Sequence, residues 1–561
     1  MPTLDSNYLI IVECKASATK HKSPNYDKPK DYAIDGVLHY SKYISKEFNV
    51  LSIAVSGEYE TELLVNLFLQ KKGGETAKKL QDSKLLSIYD CVRLFENENL
   101  NYNLKNVDIV SKAVKLNEDF QNCSVPEGAR NTIVSAIHLA LQDGMFSISY
   151  SKADSSRNLA SSLIEAVERV LRVEKTRKIE DMMGVYNSIF NQTIITDPTV
   201  KRGKKEIETV VFLKETIDYL QRNVFPLTKC EQDGYDILGR FYTEFVRYAS
   251  SKQKQGLVLT PSHVTNLFCD LVQLKATDIV YDPCCGTGGF LIAAMKRMME
   301  HAGNDTALKE NIRSNQLLGV DNAPEMFTFA CSNMMMRGDG KSNLDRGNCF
   351  VKEVALRIKS FKPTVSFLNP PYDVGTDGQL HFIETALEAV REQNGKVVAI
   401  VQMSCGLKND AETVAVRKRL LDRYTLKAVI SMPDQLFYPV GVVACVMVFD
   451  SSAPNMGKKT WFGYMKDDGF VLRKNKGRID QFNRWDGIKS KLLKAYFDGD
   501  EAPGLSVKKE VTEKDEWCAE AYMETDYSNN ISPLDFERTI KRYVLFKQMG
   551  PEFGDEHNDC D

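Results

Sequence analysis

No apolar stretch of this sequence approaches the roughly twenty residues that a helix needs to cross a bilayer, and the amino terminus lacks the layout of a secretion signal. Neither a membrane span nor export is expected, and the chain reads as a cytoplasmic protein. The thirteen cysteines form no CxxC pair and no Cys/His cluster with zinc-ligand spacing. That sets aside a disulfide framework and a structural zinc, and the thiols read as buried groups in a reducing compartment. Neither sign of charge is in large excess. With a formal net charge of −3, any surface that meets nucleic acid has to be local. No internal repeat stands out.

The length and composition are those of a multidomain soluble protein. At 561 residues, 43% hydrophobic and 27% charged, the chain is too long for one core and suggests roughly three or four domains. Strand-like and helix-like patterns alternate over residues 1 to about 57, with strands at Tyr8–Val12 and Val50–Val55 and a helix at Tyr32–Ser45, and residues 1–110 form an expected small α/β domain. From about Tyr59 the spacing predicts mainly helix, at Leu63–Gln70, Leu85–Leu94, Ala129–Leu141, Leu159–Val173, Val211–Leu220 and Tyr235–Tyr248. Residues 111–250 form the expected helical domain. The run Lys201-Arg202-Gly203-Lys204-Lys205 is either a contact to a nucleic-acid backbone or a solvated loop.

Residues 251–460 alternate in the manner of a doubly wound α/β sheet. Strands are expected at Asp278–Tyr281, Leu317–Val320, Val365–Leu368, Lys396–Val401, Leu426–Ile430 and Val442–Phe449, the last completing the sheet. Residues 461–561 read as a charged tail, in which Glu516–Tyr522 and a helix at Pro533–Gln548 suggest docking.

In such sheets ligands lie beyond the carboxyl ends of the strands, and three polar constellations fall there. Asp282 opens a Gly-rich loop that runs through Gly286-Thr287-Gly288-Gly289 to Phe290. Glycines let a backbone approach a ligand at a helix start. A phosphate loop would want Gly-Lys-Ser/Thr here, and the Asp282 carboxylate would repel phosphate while pairing with an amino acid's ammonium. This favours S-adenosylmethionine over a nucleotide phosphate. Asp321 ends the next strand, placed to accept bonds from ribose hydroxyls. After a third strand comes Asn369-Pro370-Pro371-Tyr372, an edge stiffened by its prolines. The Asn369 side-chain oxygen and the next backbone carbonyl can both accept from one amino group, and Tyr372 offers a face to a planar ring. An aromatic amine such as adenine fits.

As a set, Leu259-Thr260-Pro261, Asp282–Phe290, Gly319-Val320-Asp321, Asn369–Tyr372 and Leu436–Gly441 resemble the adenine-specific DNA methyltransferases whose cofactor-binding half precedes the catalytic half. The likeness is strongest to the modification subunits of type I restriction-modification systems and to fused restriction-modification enzymes. It implies a Rossmann-like methyltransferase domain that takes S-adenosylmethionine and acts on double-stranded DNA. By the same resemblance, Thr260, Pro261, Asp282, Cys284, Gly286, Thr287, Gly288, Gly289, Phe290, Asp321 and Asn348 hold the cofactor. Asn369, Pro370, Pro371 and Tyr372 are catalytic, and Tyr372 and Phe437 hold the target base. Two positions depart from the pattern: Asn348 stands where Asp is usual, and Leu259 where an aromatic often precedes Thr-Pro. With no duplicated target-recognition region after residue 460, a separate specificity subunit is expected, in a homo- or hetero-oligomer.

Glu13-Cys14-Lys15 ends the first strand and resembles the PD-(D/E)xK nuclease core, in which the carboxylate binds Mg²⁺ and the ammonium orients water. Asp5 is the upstream candidate for the second ligand. The segment is either an intact nuclease that adds cleavage to methylation or a truncated, nuclease-like domain. Two readings from other classes also remain, a protein-glutamine methyltransferase and a non-catalytic DNA-binding assembly subunit.

Overall fold

The computed structural model describes residues 8–58, 63–74, 76–82, 109–173, 178–225, 241, 245, 259–337, 343–438, 440–473, 477–524 and 533–549. Asp5 and the helix expected at Leu85–Leu94 lie outside them, as does that at Tyr235–Tyr248 except for Phe241 and Phe245. The chain divides into two compact units, Met1–Asp108 and Ile109–Asp561.

In the first unit, β1 (Tyr8–Lys15), α1 (Ala33–Ile44), β2 (Asn49–Ser56), β3 (Leu64–Gln70) and β4 (Lys78–Asp82) build a sheet of order β1-β2-β3-β4. The α1 crossover lets β1 and β2 run parallel, and the other pairs are antiparallel. The helix expected at Leu63–Gln70 is therefore β3. Val65, Leu67 and Leu69 join Ile10, Leu51 and Ile53 on one face, while Phe68 and Ala54 meet Ala33, Ile34 and Val37 of α1 on the other. A short apolar run buried on both faces carries no period that separates strand from helix.

The second unit opens with helices: α2 (Ile109–Asn122), α3 (Glu127–Ala140), α4 (Ser156–Val173) and α5 (Ile179–Phe190). The basic run forms a hairpin, β5 (Thr199–Arg202) and β6 (Lys205–Glu208), which leads into α6 (Thr209–Asn223). Arg202 of that run pairs with Glu215 at 2.7 Å. In the buried middle of this layer the Tyr186 hydroxyl bonds Ser135 Oγ (2.7 Å) and Ser332 Oγ (2.8 Å). That links the helical layer to the α/β part.

The α/β part begins with α7 (Ser262–Val272), β7 (Val280–Asp282), α8 (Gly289–Ala302), α9 (Thr306–Asn315), β8 (Leu317–Asp321), α10 (Pro324–Met335) and β9 (Asn343–Arg346). It continues through α11 (Lys352–Ser360), β10 (Val365–Leu368), α12 (Gly375–Val390), β11 (Lys396–Gln402), α13 (Ala411–Arg423), β12 (Thr425–Ser431) and β13 (Ala444–Asp450). Strand residues alternate faces. Phe367 of β10 packs on Phe268 of α7 and Phe290 of α8, while Leu368 joins Leu380 and Ile383 of α12 and Leu420 of α13.

The sheet does not end at β13. Past residue 458 come β14 (Lys459–Tyr464), a hairpin of β15 (Val471–Arg473) and β16 (Gly477–Ile479), α14 (Trp485–Asp498), β17 (Ser506–Glu510) and α15 (Pro533–Met549). The full order is β17-β14-β12-β13-β11-β10-β7-β8-β9, so a boundary at 460/461 cuts through a strand. Lysines on β17 suit an exposed edge and hide its period. The segment expected to dock elsewhere also folds back. Trp517 is fully buried in the core with Phe449 and Leu420, and the buried Arg417 guanidinium lies 5.5 Å above its ring. Arg417 donates to Gly406 O (2.8 Å) and Asp515 O (3.1 Å).

Because Trp517 is a core residue, Trp517→Ala is expected to cost about 3–5 kcal/mol, read as a lowered thermal midpoint. A tail that merely docks on a partner would leave the midpoint unchanged.

Candidate active site

The strand order turns at β7. The chain first adds β8 and β9 on one side, then returns to lay β10 on the other, with all four strands parallel. The crevice at such a reversal is where open α/β sheets bind ligands. Asp282 ends β7, Asp321 ends β8, Asn348 follows β9 and Asn369 follows β10. With neighbouring strands about 4.8 Å apart, the four residues occupy one rim.

Asp282 is 1% exposed, and its Oδ1 accepts from Cys284 N at 3.1 Å. Asp321 accepts from Gly286 N through Oδ2 (2.8 Å) and from Ala323 N through Oδ1 (2.9 Å). Asp321 thereby holds the Gly-rich loop, and Asn333 of α10 holds its far side by donating to Thr287 O at 2.8 Å. Gly288 caps α8 with φ +79°, a conformation open to glycine. On β8, a side chain at Gly319 would collide with Leu344 and come within 3.2 Å of Cys285 Sγ. Burial raises both carboxyls, Asp282 up to about 8 with the nearby Asp321 charge adding to it. Neither has a cationic partner among the described residues. A donor set of two uncompensated carboxylates fits a ligand that carries positive charge.

On β10's side the Asn369 amide donates from Nδ2 to Thr260 Oγ1 at 3.0 Å, so its carbonyl oxygen points away from α7. Pro261 caps α7. Tyr372 is 6% exposed, and its hydroxyl has no partner among the described residues. Burial pushes that phenol well above its usual value. The Phe437 ring meets it edge-on, centroids 6.0 Å apart and planes at 75°. The turn after Tyr372 is held by the buried Gln379 amide, which donates to Gly375 O (3.2 Å) and accepts from Gln402 N (3.0 Å).

Not every predicted residue lines this rim with its side chain. Phe290 stacks on Phe268 at 4.7 Å inside the core, which leaves its backbone for the loop. Asn348 is exposed and accepts from Phe350 N at 2.9 Å, closing its own turn. Cys284 is half-buried, with its thiol raised by burial, which keeps it a poor nucleophile. Sequence reasoning missed Asn333 and Gln379. A buried amide on an apolar helix face was the signal available for each. A separate cavity of about 420 Å³ at the other end of α7 and α8, lined by Asp270, Lys275, Arg297 and His301 among others, contains none of these residues.

In the first unit Glu13 is ion-paired with Lys15 at 3.0 Å, and Lys15 also donates to Lys30 O at 2.8 Å. No group of three His, Cys, Asp or Glu placed to hold a metal exists among the described residues. The Mg²⁺ expected at Glu13, Lys15 and Asp5 has no support there.

A model of the N-6 DNA Methylase family matches residues 233–379 and 374–550. The chain belongs to this family. The methylase is 32% identical over 579 aligned residues to the type II restriction enzyme and methyltransferase RM.BcgI of Heyndrickxia coagulans, covering 96% of this chain and 88% of that one. The MjaVII type I methylase subunit of Methanocaldococcus jannaschii is 22% identical, with 72% of this chain and 74% of the relative covered. Among solved structures, a chain of a type I R-M system aligns with TM-score 0.51 at 16% identity, over 78% of this chain and 96% of that chain, a likeness of fold. The methylase is thus of the restriction-modification methyltransferase family, and that membership implies use of S-adenosylmethionine. No described helix is long and apolar enough to cross a membrane.

The raised Asp282 carboxyl has a pH signature. Between its ordinary 3.8 and about 8 the folded ligand-free protein keeps a proton that the unfolded chain has released, so stability falls as pH rises through that window. Asp282→Asn should remove this loss, so that the variant melts above wild type by a margin that grows from pH 5 to pH 8. Parallel melting curves for the two proteins would refute it.

Proposed function

We propose that this methylase transfers a methyl group from S-adenosylmethionine to the exocyclic amine of an adenine rotated out of duplex DNA, within a restriction-modification system. The observation that carries the proposal is the adjacency of Asp282, Asp321 and Asn369 at the ends of neighbouring parallel strands where the strand order reverses. The donor supplies a methyl group activated by a sulfonium. Asp282 pairs with the ligand's ammonium and Asp321 accepts from its ribose hydroxyls, while the turn after β9 that Asn348 closes meets its purine.

For the target base, the Asn369 side-chain oxygen and the Pro370 carbonyl accept the two N–H bonds of the amine, which localises its lone pair. Thr260 fixes the amide end for end. Tyr372 and Phe437 wall the base, which is extruded from the helix because its amine is inaccessible within the stack. Positioning and fixed dipoles then supply most of the rate. Relatives named as methylase subunits support a separate specificity subunit for this chain as well. The cleavage alternative draws on the likeness to RM.BcgI, named a restriction enzyme as well as a methyltransferase, whereas no group of described side chains in the first unit is placed to hold a metal.

Asn369→Ala should abolish transfer to DNA while S-adenosylmethionine still binds within about threefold, since one lost acceptor acts mainly on the chemical step. Transfer from labelled donor to duplex DNA and to protein substrates, measured side by side, separates this reading from glutamine methylation. Binding without transfer to any DNA would favour an assembly role.

Pairing with an ammonium also releases the Asp282 proton. Affinity for S-adenosylmethionine should therefore rise from pH 6 to about 8 and level off above. Calorimetry in buffers of different ionisation enthalpy should detect the proton, and Asp282→Asn should abolish the pH dependence.

A further inference from the structure

A buried charged cluster lies behind the Phe437 wall and belongs to none of the motifs above. Asp468, with no exposed surface, is gripped by Arg478 through Nη2 to Oδ1 (2.6 Å) and Nη1 to Oδ2 (3.0 Å). His263 Nε2 donates to the same Oδ2 at 3.2 Å. The imidazole is stacked on Phe470 (centroids 4.1 Å, planes 19°) and met edge-on by Trp485 at 4.8 Å. Burial lowers the His263 pKa, and the Arg478 and His263 bonds hold Asp468 down to about 2. At neutral pH the cluster is therefore one arginine and one carboxylate with a neutral imidazole. It is balanced in charge and each Asp468 oxygen accepts two hydrogen bonds, the condition under which a buried pair is tolerated.

The significance lies in what the cluster joins. Arg478 Nη1 also donates to the carbonyl of Leu436 (3.4 Å), the residue before Phe437. His263 lies on the first turn of α7, just after Thr260 and Pro261, and Thr260 Oγ1 accepts from the Asn369 amide. The contacts form a closed ring: Asn369 to Thr260, along the chain to His263, to Asp468, to Arg478, to Leu436 and Phe437, to Tyr372, and back through the two prolines. Three segments far apart in sequence, near residues 260, 370 and 437, are thus locked by a fourth near 468–478. Phe437 and Tyr372 stand at 75°, so a base held flat between both rings requires the Leu436–Phe437 turn to shift. The clasp sets where that turn rests.

We propose that the Arg478–Asp468 pair is a positioning clasp. It holds the Leu436–Phe437 turn against Tyr372 and ties the base pocket, through His263, to the Thr260 end of the cofactor site. The inference rests on the adenine-transfer reading above. Neither residue touches substrate, and both act through Phe437.

The test uses the full chain with any co-purifying subunit. The substrate is a duplex bearing the site mapped by long-read sequencing of host DNA, with and without 2-aminopurine at the target adenine. Arg478→Lys keeps a cation beside Asp468 but loses the two-pronged grip on it and with that the shared reach to Leu436. Arg478→Met combined with Asp468→Leu removes both charges, so that no orphaned ion confuses the result. Both variants should lose about tenfold or more in kcat and show an altered 2-aminopurine signal, with donor Kd, KM for DNA and melting temperature near wild type. In a Phe437→Ala background, Arg478→Lys should add little, because the two act as one unit.

Wild-type kcat in both variants would overturn the proposal. So would losses in donor affinity or melting temperature that account for the kcat change, or full additivity with Phe437→Ala. A wild-type protein that binds the donor but modifies no DNA would overturn the underlying reading and the clasp with it.

Discussion

A carboxyl group withdrawn from water without a cation raises the free energy of any fold, and this protein keeps two side by side, Asp282 fully buried and Asp321 half-buried. Backbone amides supply the compensation, two of them from the Gly-rich loop and one from Ala323, which is why the loop closes as tightly as it does. Gly319 and Gly288 exist to permit that closure, and Asn333 anchors it from outside. The sheet's reversal at β7 brings the two acids and the Asn369 edge to the same rim. Much of the second unit can be read as scaffolding for an arrangement that is unfavourable until a cation arrives.

The sequence was most informative where chemistry and backbone geometry coincide. Asp282, Asp321 and Asn369 each end a strand and begin a turn, so composition, punctuation and position all mark the same residues. The doubly wound alternation was legible for a related reason, since short apolar runs bounded by turn residues alternate with longer stretches of helical period. Legibility failed where one cue was missing. β3 is short and mostly apolar with no strict alternation, so nothing in its spacing opposed a helix. β9, four residues long, and β17, an edge strand rich in lysine, carry too little pattern to register.

The remaining misses concern side chains whose roles depend on long-range partners. Gln379, Asn333 and Arg478 are unremarkable in sequence because partners of each lie on other elements, Gln402 of β11 in the case of Gln379. Phe290 erred in the opposite direction. It sits in the cofactor motif, yet its ring is spent on the core between α7 and the sheet, so only the main chain at that position can face a ligand.

The return of the segment around Trp517 to the core has a temporal side. Its ring packs beside Arg417, about a hundred residues earlier in the chain, and β17 pairs with β14 across some forty residues. During synthesis the growing sheet therefore stays open at that edge, with apolar surface uncovered, until residues 506–519 have emerged from the ribosome. The strands that carry the candidate site are thus made well before the core beneath them is closed, so the rim can settle only once that later segment has folded back.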